Sequence, residues 1–441
     1  MEERTHLREF ASYASLSVCA MLAISCYILA DTFFVAQGLG TAGLAALNLA
    51  IPAYNFIYGA GLMLGMGGAT KYAICKSRGE HEAANHMFTH SVWLSAGISL
   101  LFMLAGLLLS WPLTRLLGAE GEVAVMTHTY LRVLLLFSPA FIFNAMLVCF
   151  VRNDGRPTLA MAATASGSFA NIILDYVFIF PCNMGIFGAV FATGLSPVIG
   201  IVVMAPHLLG KRRGFRLAPT RPQARMVADN LSLGFPSLLG QVSSGVVMIT
   251  FNALILGLEG NVGVAAYGVT ANLSLVVTSI YTGIAQGSQP LISRAWGERE
   301  PRLARLHLRY GLWTMLAVSG VIYLILFVFA GPIAGIFNSE HDPDLQRIAV
   351  EGLRLYFLSA PFAGFNIVLA SYFTSVEQAA PAQVLSLLRG LILIIPAALV
   401  MAALWDMTGV WLACPAAELL VALLGVWLYR RSGRVLLSAG A

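Results

Sequence analysis

The chain alternates long apolar stretches with short polar connections. Twelve stretches approach the roughly 20 residues that a helix needs to cross about 30 Å of hydrocarbon. They fall near residues 11–36, 45–70, 88–112, 124–149, 158–181 and 185–209, then 230–258, 263–290, 310–331, 345–373, 382–404 and 408–429. Membrane-spanning strands would be shorter and would alternate in polarity, so each stretch predicts a helix. The second half also echoes the first. GMGGATKYAICKSRGE at 65–80 reappears in outline as GIAQGSQPLISRAWGE at 283–298, aligning Gly65 with Gly283 and Gly79-Glu80 with Gly297-Glu298. Pro139 and Asn144 match Pro361 and Asn366 at a slightly larger shift, and Pro157 matches Pro381. Each copy holds an even number of spans, so both start on the same side and are related by an axis along the membrane normal. The expected fold is an all-α polytopic membrane protein, with twelve transmembrane helices in two parallel-repeat six-helix lobes.

Composition agrees: 58% of residues are hydrophobic and 11% charged, too few charges to solubilise a chain of 441 residues. The basic residues are unevenly placed. Arg4 and Arg8, then Lys71, Lys76 and Arg78, then Arg152 and Arg156 occupy alternate connections. The same side receives Lys211, Arg212, Arg213, Arg216, Arg221 and Arg225, then Arg294, Arg299, Arg302 and Arg305, and finally Arg430, Arg431 and Arg434. The opposite connections carry Glu120, Glu122, Glu259, Glu340, Asp342, Asp344 and Asp406. Positive charge marks the cytoplasmic side, which predicts both termini inside a multi-pass protein of the cell membrane. The net charge of +5 is then a topology signal that requires no nucleic-acid partner. The basic, proline-containing run KRRGFRLAPTRPQARMV sits where the repeat restarts. It predicts an N-lobe over 1–209 (helices one to six), a cytoplasmic linker over 210–226 and a C-lobe over 227–441 (helices seven to twelve). The first apolar run is too long for a signal-peptide core and is expected to stay as helix one.

Soluble-site motifs have little support. Gly38, Gly40 and Gly43 spell GxGxxG between two membrane helices, with no strand to build a dinucleotide fold. His81-Glu82 and His86 miss the HExxH zinc spacing, and the six cysteines form no CxxC pair. No cofactor or structural metal is expected. Acids inside the membrane are costly and mark candidate sites. Asp31 in helix one, Asp175 in helix five and Thr193 in helix six reach a similar depth, roughly 10–15 Å below the outer boundary, and Asn171 lies one turn below Asp175 on the same face. Two carboxylates, an amide and a hydroxyl suit a proton or a sodium ion. The plainer role, hydrogen bonding to neighbouring helices, fits less well with so few intramembrane acids.

Tyr54, Met63, Met66, Phe141, Phe178 and Tyr281 are candidates to line a drug-sized chamber, though each suits ordinary packing as well. Gln286, Ser288 and Gln289 before Pro290 predict an interruption of helix eight, either a gate or a satisfied kink. Arg389 in helix eleven and Glu418 in helix twelve lie at comparable depth and form a candidate structural ion pair.

These residues resemble the multidrug and toxic compound extrusion (MATE) family. The likeness is carried by ADTFFVAQGLGTAGLAALNLAIP at 30–52, NIILDYVFIF at 171–180, GAVFATGLS at 188–196 and AAYGVTANLSLVVTSIYTGIAQGSQPLI at 265–292. The resemblance implies secondary active export of amphipathic, often cationic drugs or toxic metabolites, in exchange for H+ or Na+, by alternating access of two lobes. It implies no enzymatic activity and no partner beyond the bilayer and small molecules, with a monomer as the working unit. It places the coupling ion on Asp31, Asn171, Asp175 and Thr193. Additional acids that some branches carry in helices seven and ten are missing from 231–258 and 353–376. The alternative is a lipid-linked sugar or other lipid flippase of the same superfamily, which would call for a more basic cavity.

Overall fold

The computed structural model describes residues 2–210, 213–338 and 342–438. Among them there is no strand. Lys211, Arg212 and Glu340 lie outside the described residues, as does the side chain of Arg434.

Two very long helices each contain a single break. Glu2–Ser77 breaks at Gly40, with φ 65° and ψ −157°, into α1 (2–39) and α2 (41–77). Ala224–Gly297 breaks at Gly260, with φ 62° and ψ −153°, into α7 (224–259) and α8 (261–297). That region of backbone space is open essentially to glycine alone. One residue therefore does the work of the loops expected near Gly40 and Gly260. Tyr27 and Tyr54, on opposite sides of Gly40, share a hydrogen bond, so the arms fold back on each other.

The other spans are α3 (His81–Leu108), α4 (Gly121–Leu136 with Ser138–Asn153, bent by 48°), α5 (Pro157–Ile179), α6 (Gly185–Leu209), α9 (Pro301–Val328) and α10 (Pro343–Ser375). The bend of α4 coincides with Pro139, whose missing N–H frees the preceding turn. α11 (379–404) and α12 (407–438) meet at Trp405-Asp406, where Asp406 has φ 49°. Counting the three helices broken at Gly40, Gly260 and Trp405-Asp406 as two spans each, and bent α4 as one, gives twelve spans among the described residues. Helix α8 runs through Pro290 to Gly297, so the interruption expected there does not occur.

The helix ends reveal the register of the duplication. Gly40 and Gly260, Ser77 and Gly297, His81 and Pro301, and Leu108 and Val328 all stand 220 residues apart. From Ser138 and Ala360 onward, through Asn153 and Ser375, the offset is 222. The Gly65–Gly283 and Gly79-Glu80 matches are therefore two residues out of register, and Pro157 corresponds to Ala379 rather than Pro381. In the corrected register Gly67 pairs with Gly287. A Cβ on Gly67 would lie 1.9 Å from the Asn230 carbonyl oxygen on α7, and one on Gly287 would lie 2.6 Å from Ala14 Cα on α1. These two positions are among the close approaches along which the halves meet.

Each half has its own apolar core, one around Leu131, Phe150 and Val190, the other around Phe251, Leu353 and Trp411. Polar contacts between the halves run from mid-helix to the face that carries the basic connections. Ser25 Oγ donates to Ser279 Oγ at 2.6 Å, near the middle of α1. Towards the basic face follow Gln289 Nε2 to Thr70 Oγ1 at 3.0 Å, Asn153 Nδ2 to Gln289 Oε1 at 2.9 Å, and Arg294 to Glu9 at 2.9 Å. Lys71 meets Glu377, and its Nζ is 3.4 Å from Asp229. The halves are thus closed against each other on the basic face.

The segment between the halves is fastened to the first of them. Phe215 is buried beside Tyr72, Phe88 and Phe150, Ala218 N–H donates to Thr89 Oγ1, and Gln223 N–H donates to His90 Nε2. Asp154, in the α4–α5 connection, receives Gly214 N–H at 2.8 Å, Tyr72 OH at 2.7 Å and Lys76, with His207 Nε2 at 3.0 Å. Burial pushes the Asp154 carboxyl pKa up, but the donors Lys76, Gly214 N–H and Tyr72 outweigh burial and hold it below the usual carboxylate range. Regular helix resumes at Ala224, a little before the boundary expected at 227.

Candidate functional site

The four coupling candidates converge inside the first half. Asp31 on α1 is 6% exposed and Asp175 on α5 is fully buried, close enough that each lies in the other's field. Asn171 lies one turn from Asp175 along α5. With its amide turned to satisfy both neighbours, its nitrogen donates to Asp175 Oδ2 at 3.0 Å and its oxygen accepts the Thr193 N–H at 3.2 Å. Thr193 donates its hydroxyl back to the Ala189 carbonyl at 3.0 Å. Oδ1 of Asp31 and Oδ1 of Asp175 have no hydrogen-bond partner among the described residues. No lysine or arginine among them forms an ion pair with either acid. Two neighbouring carboxylates without a cation, in a site closed to water, are expensive to keep charged. The arrangement can lower that cost by taking up a proton or by holding a small cation on its oxygens.

Tyr130 was not among the expected residues. It projects from α4 with Asp31, Thr193 and Asp175 as neighbours, and Tyr27 and Tyr54 also lie near Asp31. A lone tyrosine in an apolar span gives no sequence signal of this kind. Its placement depends on how α4 packs against α1 and α6.

Beneath the acids lies a narrow cavity of about 50 Å³, walled by α1, α2, α4, α5 and α6 and floored by Gln286 of α8. Tyr54 and Phe141 line it, their rings edge to face at 5.6 Å. Four other candidates do not line it. Met63 and Met66 are buried in the core of the first half, where α2 packs on its neighbours. Phe178 lies half-buried against Phe191, and Tyr281 sits in the core of the second half, accepting a hydrogen bond from Ser319 at 2.7 Å. Apolar character alone does not separate a cavity wall from packing.

Arg152 belongs to the cavity as well. Counted in the sequence as a charge of the basic connections, it is 2% exposed, and its Nη1 donates to Gln286 Oε1 at 2.9 Å and to the Gln286 carbonyl at 3.3 Å. The signal was present in the spacing, since Asn144, Val148 and Arg152 fall on one face of α4 and all three line the cavity. Among the described residues that line the cavity, Arg152 carries a charge and none is an acid.

In the second half the expected pair is formed. Arg389 Nη2 is 2.8 Å from Glu418 Oε1, and Asn366 Nδ2 donates to Glu418 Oε2 at 2.7 Å. Arg389 lies in a single π-helical turn, Leu388–Ile392, within α11. Of the other residues singled out, His86 Nε2 stands 3.8 Å from Glu82. Gln286, Ser288 and Gln289 are buried where α8 meets the first half.

A twelve-helix bundle made of two matching halves, with ionisable groups sealed in one of them, defines a polytopic membrane transport fold. The MatE family model matches residues 17–177 and 236–400, and the chain belongs to that family. Among similar proteins is the multidrug export protein MepA of Staphylococcus saprophyticus, 26% identical over 382 residues, covering 86% of this chain and 84% of the relative. MepA of Staphylococcus aureus is 25% identical over 386 residues, with 86% and 84% covered. A solved outward-facing structure of a multidrug resistance MATE family transporter of the MOP superfamily superposes with a TM-score of 0.92 at 23% identity, over 98% of this chain and 97% of that one. A MATE structure in the straight conformation gives 0.92 at 24% identity, with 98% and 97% covered. The fold is thus the two-lobed twelve-helix MATE architecture.

Proposed function

We propose that this protein is a secondary active multidrug exporter, expelling amphipathic, often cationic compounds in exchange for H+ or Na+ bound at Asp31, Asn171, Asp175 and Thr193. The observation that carries the reading is the pair of buried acids without a cationic partner, each with one unbonded oxygen. A site that must be neutralised to be comfortable is one whose occupancy can be linked to conformation. Relatives named for multidrug export support the drug side of the exchange, and weigh against the flippase alternative.

The lobes at 1–209 and 227–441 rock about their shared seams, with the basic face in the cytoplasm of a cell-membrane protein. Closure on that face makes this an arrangement shut towards the cytoplasm on this reading. Opening inward requires parting Lys71 from Glu377, Arg294 from Glu9 and Gln289 from Asn153. The segment at 210–226 travels with the N-lobe, to which Phe215, Ala218 and Gln223 are fastened. The test is efflux of a cationic dye from proteoliposomes, driven separately by a pH gradient and by a sodium gradient with the other ion clamped. One gradient drives efflux on this account; failure of both across a broad dye panel overturns it.

A further inference from the structure

The structure holds two deeply placed arginines inside the helix bundle, and they differ in one respect. Arg389 has a carboxylate at 2.8 Å. Arg152 has none within ion-pair distance among the described residues. Its guanidinium carries five N–H donors, yet only Nη1 is engaged, and only by the neutral oxygens of Gln286. Its other two nitrogens find no protein acceptor among the described residues, although the side chain lines the cavity. A largely buried guanidinium without a counterion is costly, and the cost is relieved by an anion that accepts its free N–H groups, ideally two at once. The wall adds the Tyr58 hydroxyl, which lies within the electrostatic reach of Arg152, and the Asn144 amide. A space of about 50 Å³ holds a few waters or a carboxylate, not a whole drug.

We infer that Arg152, with Tyr58 and Asn144, forms a subsite in the N-lobe cavity for a compact anionic group, a carboxylate carried by the exported amphipath. This deepens the export reading above and rests on it for the cavity's being on the transport path. The expected preference is for amphipaths that carry an acid, which seats on Arg152.

The test measures binding rather than transport, so its outcome is independent of whether a gradient drives export. Fluorescence anisotropy would compare a rhodamine bearing a free carboxylate with its methyl ester, on the full-length protein in detergent. Wild type should bind the acid roughly tenfold or more tightly than the ester, the scale of one charged hydrogen-bonded contact. Arg152→Gln should bring the ratio to about one, and Arg152→Lys should retain part of it. Equal affinity for acid and ester in wild type, or an undiminished preference in Arg152→Gln, overturns the subsite. Sodium acetate is the remaining arm. If acetate binds Arg152-dependently while acid and ester bind alike, the site takes free small anions, and the amphipath-borne carboxylate is rejected.

Discussion

The two lobes share a register and treat the same positions in opposite ways. At the offsets set by the helix ends, Asp31 corresponds to Phe251, Asn171 to Leu393 and Asp175 to Ala397, so the acid cluster of the N-lobe is apolar in the C-lobe. Conversely, Arg389, Glu418 and Asn366 correspond to Gly167, Ser196 and Asn144, which are all walls of the N-lobe cavity. In the C-lobe that volume is occupied by an ion pair with its hydrogen bonds satisfied; in the N-lobe it is open. Gly167 lies so close to the Ser196 carbonyl oxygen, 2.7 Å from where a Cβ would stand, that no side chain can enter from that side. Duplication has therefore produced one lobe with its buried charges neutralised and one whose charges await a partner. On the proposed reading the first holds its shape and the second responds to what binds.

The sharpest way to break this contrast is to neutralise the N-lobe acids. Asp31→Asn or Asp175→Asn should reduce gradient-driven dye export at least about tenfold while folded protein still reaches the membrane. Export at wild-type rate in either variant would remove that residue from the coupling site. The C-lobe pair should behave differently. Arg389→Met alone leaves Glu418 buried without its cation and should cost about 3–5 kcal/mol of stability, whereas Arg389→Met with Glu418→Gln should recover most of the loss. Thermal unfolding in detergent reads both, and a double variant as unstable as the single one would contradict a purely structural pair.

A smaller effect is expected at the hub around Asp154 on the basic face. Asp154→Asn should cost about 1–3 kcal/mol by weakening the bonds to Lys76, Tyr72 and Gly214. Because the folded-state pKa of Asp154 is depressed, its contribution is complete above the unfolded value near 3.9 and is lost as pH falls through the folded value. The gap between wild type and variant should therefore be flat above about pH 5 and narrow below about pH 4. A gap that widens on acidification would reverse the assignment. Smallest is Thr193→Ala, which removes one hydroxyl worth roughly 0.5–1.5 kcal/mol and should shift the apparent ion affinity only a few-fold. A larger effect than Asp175→Asn would invert the ranking within the cluster.

The fold was legible because length, apolarity and the spacing of charges act locally along a membrane helix. The acid cluster was legible for the same reason, since depth follows from residue count on a helix of known rise. What escaped depended on packing angles between helices. Met63 and Tyr281 look like cavity residues in sequence but face packed interiors. Tyr130 joins the acids only through the approach of α4 to α1. Arg152 was read as a surface charge because positive connections are the rule, although its spacing from Asn144 placed it on an inward face. The repeat was visible but slipped by two residues, because the Gly-Glu pairs are a chance match and the true landmarks are the positive-φ glycines, Gly40 and Gly260.

The most direct measurement sets the lobes against each other in one assay. Gradient-driven efflux of a cationic dye from proteoliposomes would be recorded for Asp31→Asn and for the double variant Arg389→Met with Glu418→Gln, each reconstituted to equal density. If coupling resides in the N-lobe, the double variant exports at a rate close to wild type and Asp31→Asn does not export at all. Loss of coupling in the double variant with export intact in Asp31→Asn would place the driving ion in the C-lobe and contradict the account.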